Sequence, residues 1–272
     1  MARDVLLHCH FFKNAGSTID CALKRCFPHA FYENKTEFSI VQWNDFLRAT
    51  LQELPNISAI SSHVFTLRSP VIADVNLHYV AMFRHPIERI TSVAAYDKRR
   101  NYRNSACNII KNHKITIKGY VKAYLRDGAP ASIRNVHTMR FAGEDRGTPP
   151  ATQEDFNKAV NTLKRCPSIG LVEEFDKSMV LFEEQLKPVF PNLDLSYIKQ
   201  NVHQKPHPVE ERIRTLREQL GEELFKILLA KNEKDVRLYA MFKASFYKKV
   251  QEIDNFSDKL QNFKKRCAAL CG

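Results

Sequence analysis

Short apolar runs at residues 5–12, 57–62, 77–83 and 168–172 punctuate the chain, and the stretches between them repeat at helical spacing. Each run is brief, rich in aliphatic and aromatic residues and bounded by polar or turn residues, so each reads as a buried strand. Between them, Trp43, Phe46, Leu47, Leu51 and Leu54 fall on one face of a helix over 41–54. Pro86 opens another helix, through Ile90 and Val93 toward Tyr96, at a position where its missing N–H costs nothing. Residues 19–26, 117–125, 154–163 and 176–186 carry the same period, the last stopped by Pro188. From 208 to 249 the pattern is almost wholly helical, with Gly221 as a break. Apolar strands alternating with helices predict a parallel sheet with crossover helices. The expectation is an α/β fold with a helical C-terminal part: one domain over 1–250, then a surface helix or tail at 251–272.

Composition narrows the partners. The 272 residues include 44% hydrophobic ones, enough for a sizeable core, and only 8 glycines, with no linker-like stretch or repeat. A formal charge of +12 favours an anionic partner: nucleic acid, an anionic membrane surface, or acidic small molecules and polysaccharides. No zinc finger, RNP motif or basic heptad helix accompanies that charge, so nucleic acid is not expected. Asp4 and His8 interrupt the early apolar run, and nothing later reaches the length of a membrane span, so neither a signal peptide nor a transmembrane segment is expected. The 7 cysteines lack zinc-site spacing and read as reduced thiols of a cytoplasmic protein. In His8-Cys9-His10 the cysteine points away from its neighbours in a strand, so the three cannot converge on one metal, and none is expected.

Two places carry chemistry. The first run ends in His10-Phe11-Phe12-Lys13-Asn14-Ala15-Gly16-Ser17-Thr18, a strand, a tight turn and a helix start. Helix N-termini offer unpaired N–H groups and a positive dipole end to an anion. Lys13 adds a point charge, and Ser17 and Thr18 add hydroxyls. Walker-type loops place the lysine after the second glycine, whereas Lys13 precedes Gly16. The plain alternative is a structural corner capped by Ser17. The second place is the run 77–83 ending in Arg84, with Ser92 about two helical turns on. An arginine at a strand's carboxyl end lies where open α/β sheets bind ligands, and a guanidinium and a hydroxyl could share a phosphate. The alternative is a capping arginine beside a buried serine.

HFFKNAGST followed by FRHPIERITSVAAY resembles the two phosphosulfate-binding signatures of sulfotransferases. The closest are carbohydrate O-sulfotransferases of the heparan uronyl and glucosaminyl type. Asn135 to Gly143 is similar to their NxxTRxLxG stretch, Gly170 to Asp176 to GLxExFDxS, and Asn232 to Tyr239 to NxxDxxLY. Phe12, Asn14 and His85 stand where the family carries proline, threonine and aspartate. The resemblance implies a P-loop sulfotransferase fold, the donor 3′-phosphoadenosine 5′-phosphosulfate and a carbohydrate or glycosylated acceptor. It places Lys13 near the bridging oxygen between sulfate and 5′-phosphate, and Lys13, Asn14, Ala15, Gly16, Ser17 and Thr18 around that phosphate. Arg84 and Ser92 take the 3′-phosphate. No metal is needed where lysine and helix dipole supply the positive field.

The segment Ser61-Ser62-His63-Val64-Phe65 is similar to the family's GHxxF stretch, which makes His63 the expected general base, with His10 second. Glu33, Glu37 and Glu53 are alternatives, since some sulfotransferases use a glutamate. His10, His137 and Arg140 are candidate substrate contacts, and Lys98-Arg99-Arg100 is either a contact or a solvated helix end. Glu173 and Asp176 read as capping carboxylates. Segments 101–116 and 143–152 are expected to shape the acceptor pocket. Missing an anchor, the chain reads as a soluble bacterial-type member. The competing readings are a small-molecule kinase with a variant P-loop, a nucleotide binder without turnover, and a nucleic-acid-binding protein. A kinase needs a magnesium carboxylate at a second strand end, where this chain has Arg84-His85.

Overall fold

All four apolar runs become strands, and a fifth strand joins them. The computed structural model describes residues 2–35, 40–67, 70–100, 115–144, 150–166, 168–198 and 208–270. The chain forms β1 (Arg3–Cys9), α1 (Gly16–Cys26), β2 (Phe31–Asn34), α2 (Ile40–Glu53), β3 (Ala59–Ser62), β4 (Val75–Phe83) and α3 (Pro86–Arg99). It continues through α4 (Ile117–Leu125), α5 (Val136–Ala142), α6 (Gln153–Arg165), β5 (Ile169–Leu171) and α7 (Phe175–Leu186). The end is helical: α8 (Val209–Leu220), α9 (Glu222–Lys231), α10 (Glu233–Gln251) and α11 (Phe256–Ala269). The strands are parallel, in the order β2-β3-β1-β4-β5, and helices flank them. No helix among the described residues is long and apolar enough to cross a membrane.

β1 is buried from Val5 to Cys9, as a central parallel strand covered on both faces must be. Alternation puts Leu6 and His8 on one face and Leu7 and Cys9 on the other. Leu6 joins a core of Ile19 and Leu23 from α1, Met82 from β4, Met179 from α7 and Phe263 from α11. Phe263 is fully buried, so the last segment is a helix docked in that core. β1 ends at Cys9 instead of running to residue 12, because the N–H of Phe11 turns back to the carbonyl of Cys9 at 2.8 Å.

The chain divides into two compact units, one of residues 1–83, 161–203 and 242–272, the other of 84–160 and 204–241. The first contains the whole sheet. The second joins two of the segments that the resemblance singled out. Asn135, the residue before α5, is left-handed (φ 47°) and makes no side-chain cap of its own. Asp235 of α10 caps α5 instead, accepting the N–H groups of His137 (2.9 Å) and Thr138 (2.7 Å) and the Thr138 hydroxyl (2.7 Å). The N–H of Asp235 donates to Asn135 Oδ1 at 3.0 Å, and the N–H of Asn135 donates to Asn232 Oδ1 at 3.1 Å. Asn232, buried between α9 and α10, also donates to the Ile133 carbonyl at 2.9 Å, which makes it a second break in the helical stretch after Gly221. Burial alone would raise the Asp235 carboxyl, but His137 beside it and the Thr138 donors hold it below its ordinary value. Asp235→Ala strands these donors in a dry site. It is expected to cost about 3 kcal/mol in chemical denaturation, with Asp235→Asn milder.

Candidate functional site

Because all strands run parallel, the segments after β1, β3 and β4 leave the sheet at one carboxyl edge. The connection after β1 runs toward β2 and the one after β4 toward β5, so the order switches direction between these two neighbours. Open α/β sheets bind ligands outside the carboxyl ends at such a point. The turn after β1 sits there, and Asn14, 1% exposed, pins it by donating its side-chain amide to the Met82 carbonyl of β4 at 2.6 Å. Asn14 thus serves the turn with its side chain, and its N–H is also spent, on the carbonyl of Phe11 at 3.0 Å.

Two residues of this turn are left-handed without being glycine, Lys13 (φ 63°) and Ala15 (φ 61°). Such strain costs on the order of 1–2 kcal/mol per residue and gathers at functional sites. Alternation of left- and right-handed residues turns successive N–H groups into one concavity, an anion nest. α1 begins at Gly16 with Ala15 at its cap position and no side-chain cap. The corner capped by Ser17 is therefore overturned: Ser17 is exposed inside the first turn. Among the described residues, Ala15, Gly16 and Ser17 donate their N–H groups to no protein acceptor. A bare helix end with the positive dipole pole behind it fits a phosphate.

Beside the nest lies a polar cluster set by strand register. His8 of β1 pairs with Ser61 of β3, so both side chains share the α1 face. Asp20, one helical turn after Gly16, meets them. Its Oδ1 receives His8 Nδ1 at 2.7 Å and the Ser61 hydroxyl, and its Oδ2 receives His10 Nδ1 at 2.7 Å. Burial would raise the Asp20 carboxyl, yet His8 and His10 hold it well below the usual carboxylate range. Burial pushes His8 down despite Asp20. The His10 ring lies directly on Gly16, where an added Cβ would stand 2.0 Å from Cδ2 and 2.4 Å from Nε2. His63 Nδ1 donates to the His10 carbonyl at 2.8 Å, and the two rings are 4.0 Å apart. His10 and His63 line a cleft of about 240 Å³ with Glu33, Asn34, Lys35, Ser61 and Ser62.

His63, His10 and Glu33 thus share one cleft, whereas Glu53 is exposed at the end of α2 and Glu37 lies outside the described residues. Asp20 belongs to none of the sequence motifs. The signal available was the spacing: His8 and His10 two apart on a strand, and an acid four residues after the loop glycine.

The remaining candidates belong to the second unit. Arg84 directly follows β4, and its Nε and Nη2 bind both oxygens of buried Glu88, which also receives Arg212 Nη1 at 2.8 Å. Ser92 is half-buried on α3. His137 and Arg140 are 1% and 4% exposed on α5, so neither presents the open surface that acceptor contact calls for. Lys98 and Arg99 occupy the exposed last turn of α3. Asp176 accepts the Tyr197 hydroxyl at 2.6 Å and makes no cap bond, and Glu173 lies in a short 3-10 turn before α7. Of the two acceptor segments, residues 101–114 of the first and 145–149 of the second lie outside the described residues.

Acid should destabilise each unit in steps. His8 and, in the second unit, His137 are held below their ordinary value by burial. The unfolded chain then binds more protons below about pH 6.5, so stability falls as pH drops through that point. Asp20 and Asp235 have depressed folded values, so their contribution persists until pH falls below about 4. Thermal unfolding is expected to show a falling Tm between about pH 7 and 5, before carboxylate loss begins. A flat Tm across that window would mean that neither imidazole titrates differently in the folded and unfolded chain.

No protein-family profile matches the chain. A protein of Archaeoglobus fulgidus, described as an uncharacterized protein, is 33% identical over 260 residues, covering 90% of this chain and 100% of that protein.

Proposed function

The chain belongs to one family with the Archaeoglobus fulgidus protein, and from the site it carries we propose that it is a sulfotransferase. It moves a sulfuryl group from 3′-phosphoadenosine 5′-phosphosulfate to a hydroxyl of a carbohydrate or glycosylated acceptor, within a P-loop sulfotransferase fold. The observation that carries this reading is the uncapped N-terminus of α1, with its strained Lys13-Asn14-Ala15 approach at the switch point of the sheet. The five ordered sequence resemblances give that anion site its donor.

In this reading the N–H groups of Ala15, Gly16 and Ser17 hold the 5′-phosphate, with the Ser17 and Thr18 hydroxyls beside them. Lys13 offsets charge that builds on the oxygen leaving sulfur, a preorganised positive group acting where charge develops. Arg84 and Ser92 are assigned the 3′-phosphate, and Glu88 fixes the plane of the Arg84 guanidinium. A histidine of the cleft takes the proton of the attacking hydroxyl. Bound donor supplies an activated sulfuryl group; the chain supplies position and charge, as in phosphoryl transfer.

Calorimetry separates this from a kinase. 3′-Phosphoadenosine 5′-phosphate is expected to bind, and ATP with magnesium is expected to bind at least about tenfold more weakly, a difference of about 1.4 kcal/mol. Preference for magnesium-ATP would overturn the proposal. Arg84→Ala should weaken 3′-phosphoadenosine 5′-phosphate and leave adenosine 5′-phosphate nearly unchanged. Equal loss for both would remove Arg84 from the 3′-phosphate.

A further inference from the structure

We infer that His10, rather than His63, is the base that takes the acceptor proton, and that Asp20 positions it, braced by His8 and Ser61. The chemistry rests on the transferase reading; the positioning network does not.

The tautomer follows from the partners. Asp20 is ionised and lies 2.7 Å from His10 Nδ1, so Nδ1 carries the proton and Nε2 keeps a lone pair. The other oxygen of Asp20 is held by His8 Nδ1 at 2.7 Å and by the Ser61 hydroxyl, so the carboxylate cannot turn away. His8, 1% exposed, is locked in its own strand position and serves as a fixed donor. This is the arrangement in which a buried carboxylate fixes an imidazole and then faces the imidazolium that forms.

Placement singles out His10. Its Nε2 lies over Gly16, the first residue of α1, and would be 2.4 Å from a Cβ there. The proton-accepting atom therefore stands against the first residue of α1. His63 donates its Nδ1–H to the backbone carbonyl of His10, and its exposed ring lines the same cleft. In this assignment it meets the acceptor. Among the described residues, Glu33 and Lys35 are the other charged groups that line the cleft.

His8, His10 and Asp20 could also be read as a metal triad, since their ligand atoms lie within 4.8 Å of one another. Two ligands at about 2.1 Å from a tetrahedral ion stand about 3.4 Å apart. Here each nitrogen sits 2.7 Å from a carboxylate oxygen, the spacing of a direct charge-assisted hydrogen bond.

In the step, the acceptor O–H proton passes to His10 Nε2 as the acceptor oxygen bonds to sulfur. The bond from sulfur to the 5′-phosphate oxygen breaks, and 3′-phosphoadenosine 5′-phosphate leaves with the bonding pair. The imidazolium faces Asp20 until its proton is lost to water.

Long-range proton–nitrogen NMR of the imidazoles in the ligand-free wild-type protein tests the network without any variant. His10 is expected as the Nδ1–H tautomer, and Asp20→Asn should shift it toward Nε2–H. In transfer assays, His10→Gln and Asp20→Asn are expected to lower kcat on the order of 100-fold or more, with donor KM within about twofold. His63→Gln should mainly raise acceptor KM. His63→Gln losing kcat while His10→Gln keeps it would overturn the assignment. So would His10 in the Nε2–H tautomer, or one equivalent of divalent metal in the purified protein that Asp20→Asn removes. Failure of 3′-phosphoadenosine 5′-phosphate to bind would instead sink the transferase reading and the base role with it, while the tautomer measurement still decides the positioning network.

Discussion

Gly16→Ala is expected to destabilise the protein and to abolish binding of 3′-phosphoadenosine 5′-phosphate, although alanine is the better helix former. Helix propensity alone favours the substitution by about 1 kcal/mol. Against it, the new Cβ would stand 2.0 Å from His10 Cδ2 and 2.5 Å from Cγ, and one of the two must move. The ring has little room to yield. Its Nδ1 is tied to Asp20, and it lies between His8, with centroids 5.3 Å apart, and His63 at 4.0 Å. Overpacking of this kind costs about 1–3 kcal/mol, and displacement also breaks the charge-assisted bond to Asp20. The clash therefore outweighs the propensity. A double-mutant cycle checks the cause. With His10→Ala already present, Gly16→Ala should be neutral or stabilising in chemical denaturation, because the ring it collides with is gone. Additive losses would mean that the glycine and the ring do not interact.

That contact marks the boundary between what the chain reveals by pattern and what needs three dimensions. β1, β3 and β4 were visible as apolar runs, because interior parallel strands are buried on both faces; β5, at one edge of the sheet, was visible because its three residues are all buried. β2 was not, because Phe-Tyr-Glu-Asn is a four-residue edge strand, mostly half-exposed, with neither alternation nor a run. The turn between β1 and α1 was legible from Lys13, Gly16 and the following helix. Its left-handed residues were not, since lysine and alanine carry no signal for positive φ. His10 and His63 could be named singly as bases, but their sharing of one cleft follows from β3 pairing beside β1. Asp20 needed the His8–Ser61 register, a pairing across 53 positions. The Asn135–Asp235 clasp spans 100 positions and shows why two resembling segments occur together: each supplies the cap or hydrogen bond that the other lacks.

Lys13→Gly should make the protein more stable and less active, a pairing that a merely structural loop residue would not produce. Lys13 is held at φ 63°, which a side chain adopts at a cost of about 1 kcal/mol and glycine adopts freely. Removing the side chain relieves that strain, partly offset by the greater backbone freedom of glycine when unfolded. On the proposed reading the lost charge acts on the oxygen that leaves sulfur, so turnover should fall on the order of 100-fold or more, as when one preorganised donor is removed from a charge-stabilising site. Affinity for 3′-phosphoadenosine 5′-phosphate, which lacks the sulfuryl group, should fall by less than about tenfold, because the N–H groups from Ala15 to Ser17 remain. Ala15→Gly is the matching control. It relieves the same strain at φ 61° while keeping its N–H, so it should stabilise the fold and preserve both binding and turnover. If Lys13→Gly retains full turnover, the strain at position 13 serves the turn alone and the positive charge is not part of the chemistry. If Ala15→Gly also loses turnover, the side-chain charge is not what distinguishes the two positions, and the nest depends instead on a backbone stiffness that glycine cannot supply.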